Sequence, residues 1–139
     1  MNEDNLYELA DNIISQSVHT DDDIVALARI KRRLSRLVKE YDILSNWLEE
    51  EYNKARGSFY VEIKRKYKDD WRRITDSEAD RYAKDRSEEL YWSYRSAKAK
   101  TRGMYWEIEA IGQFIITLQS SRKANQQSQN TIDLSLIHE

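Results

Sequence analysis

The sequence predicts an all-α protein: a long antiparallel hairpin of two helices, paired as a coiled coil, with a short helix at its N-terminal side. Composition is the first observation, because proline is absent and glycine occurs only three times, which leaves few of the residues that interrupt helices. The second observation is a pair of apolar series with heptad spacing. The third is that the two series mirror each other along the chain.

The short first helix is predicted near the N-terminus. Its apolar residues Leu6, Leu9 and Ile13 recur at helical spacing, and acidic residues occupy its first turn, where the helix dipole favours negative charge. Thr20 then follows as a predicted N-cap, and an acidic residue three positions later completes a capping box. A long helix is therefore expected to begin at this threonine.

Two apolar series predict the arms of the hairpin, because each alternates gaps of three and four residues like a coiled-coil seam. The first series is Leu27, Ile30, Leu34, Leu37, Tyr41, Leu44 and Leu48. A second capping box, Thr75 with Glu78, precedes the other series. That series is Ala97, Thr101, Met104, Ile108, Ile111, Ile115 and Leu118. The positions of the two series are mirror images about a point between Arg72 and Arg73. The chain is therefore expected to fold back there with its two seams facing each other.

The same register places Arg86 opposite Phe59, which predicts a structural contact, either cation–π or snorkelling. Residues 1–121 are assigned to the helical hairpin domain with its N-terminal helix. Residues 122–139 are assigned to a flexible polar linker and a tail, because the stretch SSRKANQQSQN is polar and rich in glutamine and asparagine. Near the end, apolar residues alternate with polar ones, a period typical of an extended segment.

Composition also bounds the function. The net charge of −2 comes from 23 basic and 25 acidic residues, so any basic surface must be local. There is no cysteine or Gly-rich phosphate loop, and the two histidines lie near opposite ends, so we expect a non-enzymatic protein without metal or cofactor. Neither a signal-peptide pattern nor a membrane-spanning run is present, which predicts a soluble cytoplasmic protein without membrane association.

The stretch YWSYRSAKAKTRGMYW, residues 91–106, combines aromatic and basic residues without any acid. Helical spacing predicts one stripe of five candidate nucleic-acid-binding residues: Tyr91, Arg95, Lys98, Arg102 and Tyr105. Basic side chains between aromatic rings can follow a phosphate backbone while the rings stack on bases. Alternatively, the rings pack against the first helix or a second hairpin in a dimeric four-helix bundle, and the basic residues pair with the acids at 49–51.

Two other basic patches are candidate surfaces. The predicted hairpin tip offers Lys64, Arg65, Lys66, Lys68, Trp71, Arg72 and Arg73. Such a basic aromatic tip could grip nucleic acid, or it could be a solvated end that keeps the hairpin soluble. In the other patch, Arg29, Arg33 and Arg36 share one face of the first long helix and have few facing acids.

Protein partners are predicted at two places. Trp92 and Trp106 lie on the outermost helix face, where a second chain could cover them in a homo-oligomer. The tail DLSLI resembles the short peptide by which bacterial replication and repair proteins dock on the DNA polymerase sliding clamp. Leu134, Leu136 and Ile137 match that pattern, although an aspartate stands where glutamine is usual. The alternatives are a tail strand that covers the protein's own groove, or an unstructured end.

Two short patterns occur along the hairpin: Trp71, Ile74, Thr75, Glu78, Ala79, Arg81 and Ala83, then Leu118, Gln119, Ser120 and Lys123. With these patterns, the hairpin resembles small all-helical accessory proteins of tailed bacteriophages. The resemblance implies a phage or mobile-element origin, hence the host cytoplasm. We expect an accessory protein of phage DNA metabolism, in recombination, repair or replication, which binds single-stranded DNA, a replication protein, or both. The rival expectations are an inhibitor or adaptor acting on a host defence or replication protein, and a structural coiled-coil spacer.

Overall fold

The computed structural model describes residues 2–68 and 74–137, with side chains as far as residue 127. Over these residues the protein is all-α, with α1 (Glu3–Ile14), α2 (Asp21–Lys66), α3 (Asp76–Arg86) and α4 (Glu88–Ile137). The two long helices, α2 and α4, pack against each other, so the predicted helical hairpin with a short N-terminal helix is confirmed. The chain forms two compact units. The first contains residues up to Leu37 and from Met104 onward, and the second is Val38–Gly103.

The helices begin where the capping signals predicted. The Thr75 side chain accepts a hydrogen bond from the Glu78 backbone N–H at 3.1 Å, and its hydroxyl donates to the Glu78 carboxylate at 3.1 Å. At the start of α2, the Thr20 backbone N–H donates to the Asp23 carboxylate at 2.9 Å. These contacts satisfy backbone groups that the first helical turn leaves without partners, which fixes both starting points.

The first unit is built from α1, the beginning of α2 and the second half of α4. Buried residues of α2 and α4 form its core: Leu27, Ile30, Leu34, Met104 and Ile111. An ion pair between Arg122 and Asp21 joins the two helices near the start of α2. All five core residues belong to the two predicted seams, so these parts of the seams contribute to the buried core.

The most deeply buried side of α1 is centred slightly away from its apolar series Leu6, Leu9 and Ile13. Leu6 and Ala10, each 1 % exposed, face the core, whereas Leu9 is 42 % exposed. Leu6 and Ala10 lie four residues apart and so share a face, and the small alanine lets the helix approach its neighbour closely. Leu6, Leu9 and Ile13 do lie on one side of α1, as predicted, and Leu9 is at the exposed edge of that side.

The second unit contains the rest of α2, all of α3 and the first part of α4. Here α2 buries Val38, Ser45 and Tyr52, whereas Leu44 of the predicted seam is 44 % exposed. The buried residues of α2 follow the predicted seam as far as Leu34, and the next buried residue is Val38 in place of Leu37. The step from Leu27 to Val38 is eleven residues, a spacing that suits a straighter helix than a heptad repeat does. From there the buried positions lie one residue beyond the predicted seam positions.

The contact between α2 and α3 rests on small side chains. Ile63 packs with Ala79 and Ala83, both fully buried, and larger residues surround this cluster. The Arg86 guanidinium lies 5.8 Å from the centre of the Phe59 ring, which confirms the predicted structural contact as a cation–π contact. Since alanine carries only a methyl group, α3 can lie close to α2.

The second arm was predicted as one helix but is interrupted at Ser87. The Ser87 N–H donates to the carbonyls of Ala83 at 3.2 Å and Lys84 at 3.1 Å, while its hydroxyl donates to Ala83 at 2.8 Å. A serine hydroxyl that binds the carbonyl four residues earlier competes with the helical backbone and bends the helix, which accounts for the interruption.

The end of the chain also differs from the prediction. α4 continues to Ile137, so the backbone of the last described residues is helical and not extended. No glycine or proline follows Gly112, and the polar stretch consists largely of residues that helices tolerate. A period of two over so few residues is a weaker determinant than an uninterrupted helix leading into them.

Candidate nucleic-acid interface

An aromatic cluster stands at the centre of the second unit. Tyr52, which is 7 % exposed, lies 5.6 Å from Tyr94 in a stacked arrangement and 5.4 Å from Tyr91, between ring centres. Tyr91 in turn meets the edge of Trp92 at 5.3 Å. These rings line a hollow of about 510 Å³, which we call the aromatic hollow. Its other lining residues include Arg56, Lys84, Asp85 and Glu88.

Trp92 is the most exposed member of this cluster, with 59 % of its surface exposed. Its indole N–H donates to the Glu88 carboxylate at 3.4 Å, which steadies the ring beside the hollow. In the first unit Trp106 is 66 % exposed. The alternative that α1 covers these tryptophans is therefore wrong, and both rings are open to a ligand or a second chain.

Beyond Trp92 on α4, three of the basic residues belong to the predicted stripe: Arg95, Lys98 and Arg102, all exposed. Across residues 2–68 and 74–127, none of the three forms an ion pair, and the Lys98 ammonium lies 5.9 Å from the centre of the Tyr94 ring. The predicted pairing with the acids at 49–51 is thus not formed, and Glu51 pairs instead with Lys54 at 3.8 Å. These three residues, called the basic stripe, keep their charge available.

The aromatic ends of the predicted stripe have different environments. Tyr91 is half-buried by its contacts with the other tyrosines, so it holds the wall of the hollow and presents only part of its ring. Tyr105 belongs to the first unit and is 47 % exposed. The tyrosine cluster was not predicted, although the mirror register does place Tyr52 close to the level of Tyr94.

The predicted tip patch is less basic than its sequence indicates. Lys64 forms an ion pair with Asp76 at 2.7 Å, and the Tyr60 hydroxyl donates to the same carboxylate oxygen at 3.0 Å. The hydrogen bond between Lys64 and Asp76 raises the pKa of the lysine and lowers the pKa of the aspartate. Arg65, Lys66 and Lys68 are exposed. Trp71, Arg72 and Arg73 lie outside the described residues.

A second ion pair fixes α3 beside the aromatic hollow. Arg56 donates from Nε at 3.0 Å and from a terminal nitrogen at 2.7 Å to one oxygen of Asp80, and Lys84 approaches the other oxygen at 3.4 Å. The hydrogen bond to Asp80 raises the pKa of Arg56, and the guanidinium lowers the pKa of Asp80. This pair was not predicted. The signal was the spacing of Asp76, Asp80 and Lys84 at intervals of four, which aligns them on one face of α3.

The remaining predicted partner contacts lie at the end of α4. The backbone of Leu134, Leu136 and Ile137 is helical there, while their side chains lie outside what the structure describes. The clamp-binding prediction therefore stays a prediction.

Across residues 2–68 and 74–127, no group of three or more histidine, cysteine, aspartate or glutamate residues could hold a metal ion. His19 instead contacts the Ile13 carbonyl at 2.8 Å and meets the edge of the Phe114 ring at 5.2 Å, which is a packing role in the first unit. Across the same ranges, no helix has both the length and the apolar character to cross a membrane.

Three comparisons, with models of protein families, with curated proteins and with solved structures, gave no match. The function is therefore argued from the surfaces themselves. The strongest of these in the second unit is the aromatic hollow with the adjoining basic stripe.

Proposed function

We propose that this protein is a non-enzymatic accessory factor of phage DNA metabolism, in recombination, repair or replication, acting in the host cytoplasm. It binds single-stranded DNA through the aromatic hollow, Trp92 and the basic stripe. The observation that carries the proposal is that Arg95, Lys98 and Arg102 are exposed without ion pairs among the described residues, on the same helix as a largely exposed tryptophan. Stackable rings beside uncompensated cations are the elements of a single-strand binding surface.

Helix geometry sets how the strand would be held. Arg95 lies three residues beyond Trp92 and Arg102 ten, so the cations are spread over about 5 to 15 Å along the helix axis. A base stacked on Trp92, at the mouth of the aromatic hollow, leaves its neighbouring phosphates near the first of these cations. The following phosphates then reach Lys98 and Arg102.

Single strands fit this surface better than duplexes do. Base faces are available for stacking on Trp92 only where the strand is unpaired. Duplex binding depends on many phosphate contacts, whereas the basic stripe supplies three cations.

The proposal is tested by fluorescence anisotropy with a labelled oligothymidylate. We expect Trp92→Leu to lower the affinity by about 1–3 kcal/mol, the usual value of one stacked base. The double variant Arg95→Gln/Arg102→Gln also weakens binding, whereas Lys39→Gln/Lys123→Gln, which removes the same charge from exposed positions elsewhere, does not. Equal affinity of all four proteins, or no binding at low salt, would refute the proposal.

A second candidate function, a protein-directed adaptor or inhibitor, is favoured by exposed apolar residues on α2 of the second unit. Ile43 is 71 % exposed and Trp47, one turn later, 54 %. Adjacent large apolar side chains in solvent often mark protein interfaces. A homo-oligomer that covers them would dissociate in the variant Ile43→Gln/Trp47→Gln, as measured by sedimentation velocity. If the wild-type protein sediments as a monomer, the exposed surface of Ile43 and Trp47 is available to a different protein.

A further inference from the structure

A separate groove lies in the first unit, between α1 and the beginning of α2. It has a volume of about 540 Å³, and aliphatic residues form its floor. Leu6 and Ile30 are buried at 1 % and 7 % exposure, Ile13 is half-buried, and Leu9 opens to solvent at 42 %. The floor therefore offers an apolar strip to a ligand without rearrangement of the core.

Arginines form the rim of this groove, all of them contributed by α2. They are Arg29, Arg32, Arg33 and Arg36. All four are exposed, and within the described part of the chain no carboxylate pairs with any of them. None of the described residues that line the groove is acidic. The sequence had already placed three of these arginines on one helix face, and the structure adds the apolar floor beside them.

We propose that this groove binds an acidic amphipathic helix of a partner protein. Such a helix carries apolar residues at intervals of three and four, which match a strip of aliphatic floor, and its flanking carboxylates can meet the arginines. Guanidinium groups bind carboxylates through paired, charge-assisted hydrogen bonds, so the rim would fix the register of the helix.

Nucleic acid fits the groove less well than a peptide does. Phosphates would satisfy the arginines, but none of the described residues that line the groove has an aromatic ring on which a base could stack. An aliphatic floor contributes free energy only to a ligand that buries apolar surface on it. The groove and the proposed DNA-binding surface thus select different ligands and lie in different units of the chain.

The test uses the full-length protein and two fluorescein-labelled synthetic peptides made of leucine, glutamate and alanine. In one peptide the leucines recur at helical spacing along one face, and in the other the same residues are scrambled. We expect the amphipathic peptide to bind and the scrambled peptide to bind at least about tenfold more weakly, because only the first presents an apolar stripe.

Four variants separate the contributions of the rim and the floor. Arg33→Gln/Arg36→Gln should weaken the amphipathic peptide about tenfold, whereas Lys39→Gln/Lys123→Gln should not. Leu9→Gln should weaken it as well, whereas Ile116→Gln, an exposed apolar residue of α4 in the same unit, should not. Glutamine keeps a high helix propensity, and circular dichroism confirms that each variant is folded.

Other outcomes would overturn the proposal. Equal binding of both peptides would mean that charge alone acts, and absence of peptide binding at low salt would exclude the site. If oligothymidylate or phosphatidylglycerol vesicles bind through Arg33 and Arg36 while the peptide does not, the groove is a site for nucleic acid or a lipid surface. The variant Arg95→Gln/Arg102→Gln should keep its peptide affinity, so failure of the DNA proposal would leave this one standing.

Discussion

Asp76 and Asp80 are the residues that tie α3 to α2. They lie one turn apart, and each accepts hydrogen bonds from a cation on α2: Lys64 for Asp76 and Arg56 for Asp80. These bonds lower the pKa of both carboxyl groups. The bond that the Tyr60 hydroxyl donates to Asp76 raises the pKa of Tyr60. The ion pairs matter here for orientation, because they position the helix that leads into the aromatic hollow.

The pH dependence of this contact follows from the direction of each shift. Since the folded-state pKa values of Asp76 and Asp80 lie below their ordinary value of 3.8, their contribution to stability is present above that pH and is lost as the pH falls through the lowered values. Tyr60 and Lys64 have raised pKa values, so their contributions are present below their ordinary values of 10.0 and 10.5 and are lost as the pH rises through the raised values. Carboxyl-carbon NMR should show both aspartates titrating below 3.8. Titration of both at the ordinary value would show that the pairs do not form in solution.

Two leucines of the predicted seam should differ in their importance. Leu34 is fully buried, so Leu34→Ala should lower the free energy of unfolding by about 2–5 kcal/mol. Leu44 is 44 % exposed, so Leu44→Ala should lower it by less than about 1 kcal/mol. Urea denaturation measures both values, and equal losses would mean that the uninterrupted heptad seam is the correct one.

At the scale of the helices, the residues at which helices begin were predictable, whereas the faces that they bury were less so. The capping box at Thr75 is a local interaction, so four consecutive residues suffice to predict it. Ser45 is buried and Leu44 is exposed because of the way α2 twists over several turns while it packs on its neighbours. A short window of sequence does not contain that information. The interruption at Ser87 was missed for a related reason, because serine is compatible with both a helix interior and a bend.

Glycines inside the helices allow a second test at this scale. A methyl group added at Gly57 or Gly103 would meet nothing within 4 Å, so either alanine substitution should raise the free energy of unfolding by about 0.5–1 kcal/mol. The same change at Gly112 should gain less, since the added carbon would lie 3.0 Å from the Lys31 ammonium. Thermal melts compare the three variants, and destabilisation by Gly57→Ala or Gly103→Ala would contradict the helical environment described for those positions.

At the scale of the whole molecule, the sequence predicted the basic stripe but not its aromatic neighbour. Arg95, Lys98 and Arg102 follow from helical spacing alone, whereas the tyrosine cluster needs the register between α2 and α4. The tip shows the opposite case. Its sequence is basic, but in the folded chain the charge of Lys64 is neutralised by an ion pair with Asp76. Charge patterns along one helix are therefore predictable, and their neutralisation by another helix is not.

The central claim is that the basic stripe and Trp92 together hold single-stranded DNA, and the salt dependence of binding tests it most directly. Oligothymidylate affinity is measured by anisotropy over a series of salt concentrations for the wild type, Arg95→Gln/Arg102→Gln and Trp92→Leu. Each lost phosphate contact reduces the log–log slope by about 0.7, so the double variant should lose about 1.4, while Trp92→Leu should bind more weakly with an unchanged slope. Identical slopes for the wild type and the double variant would contradict the account.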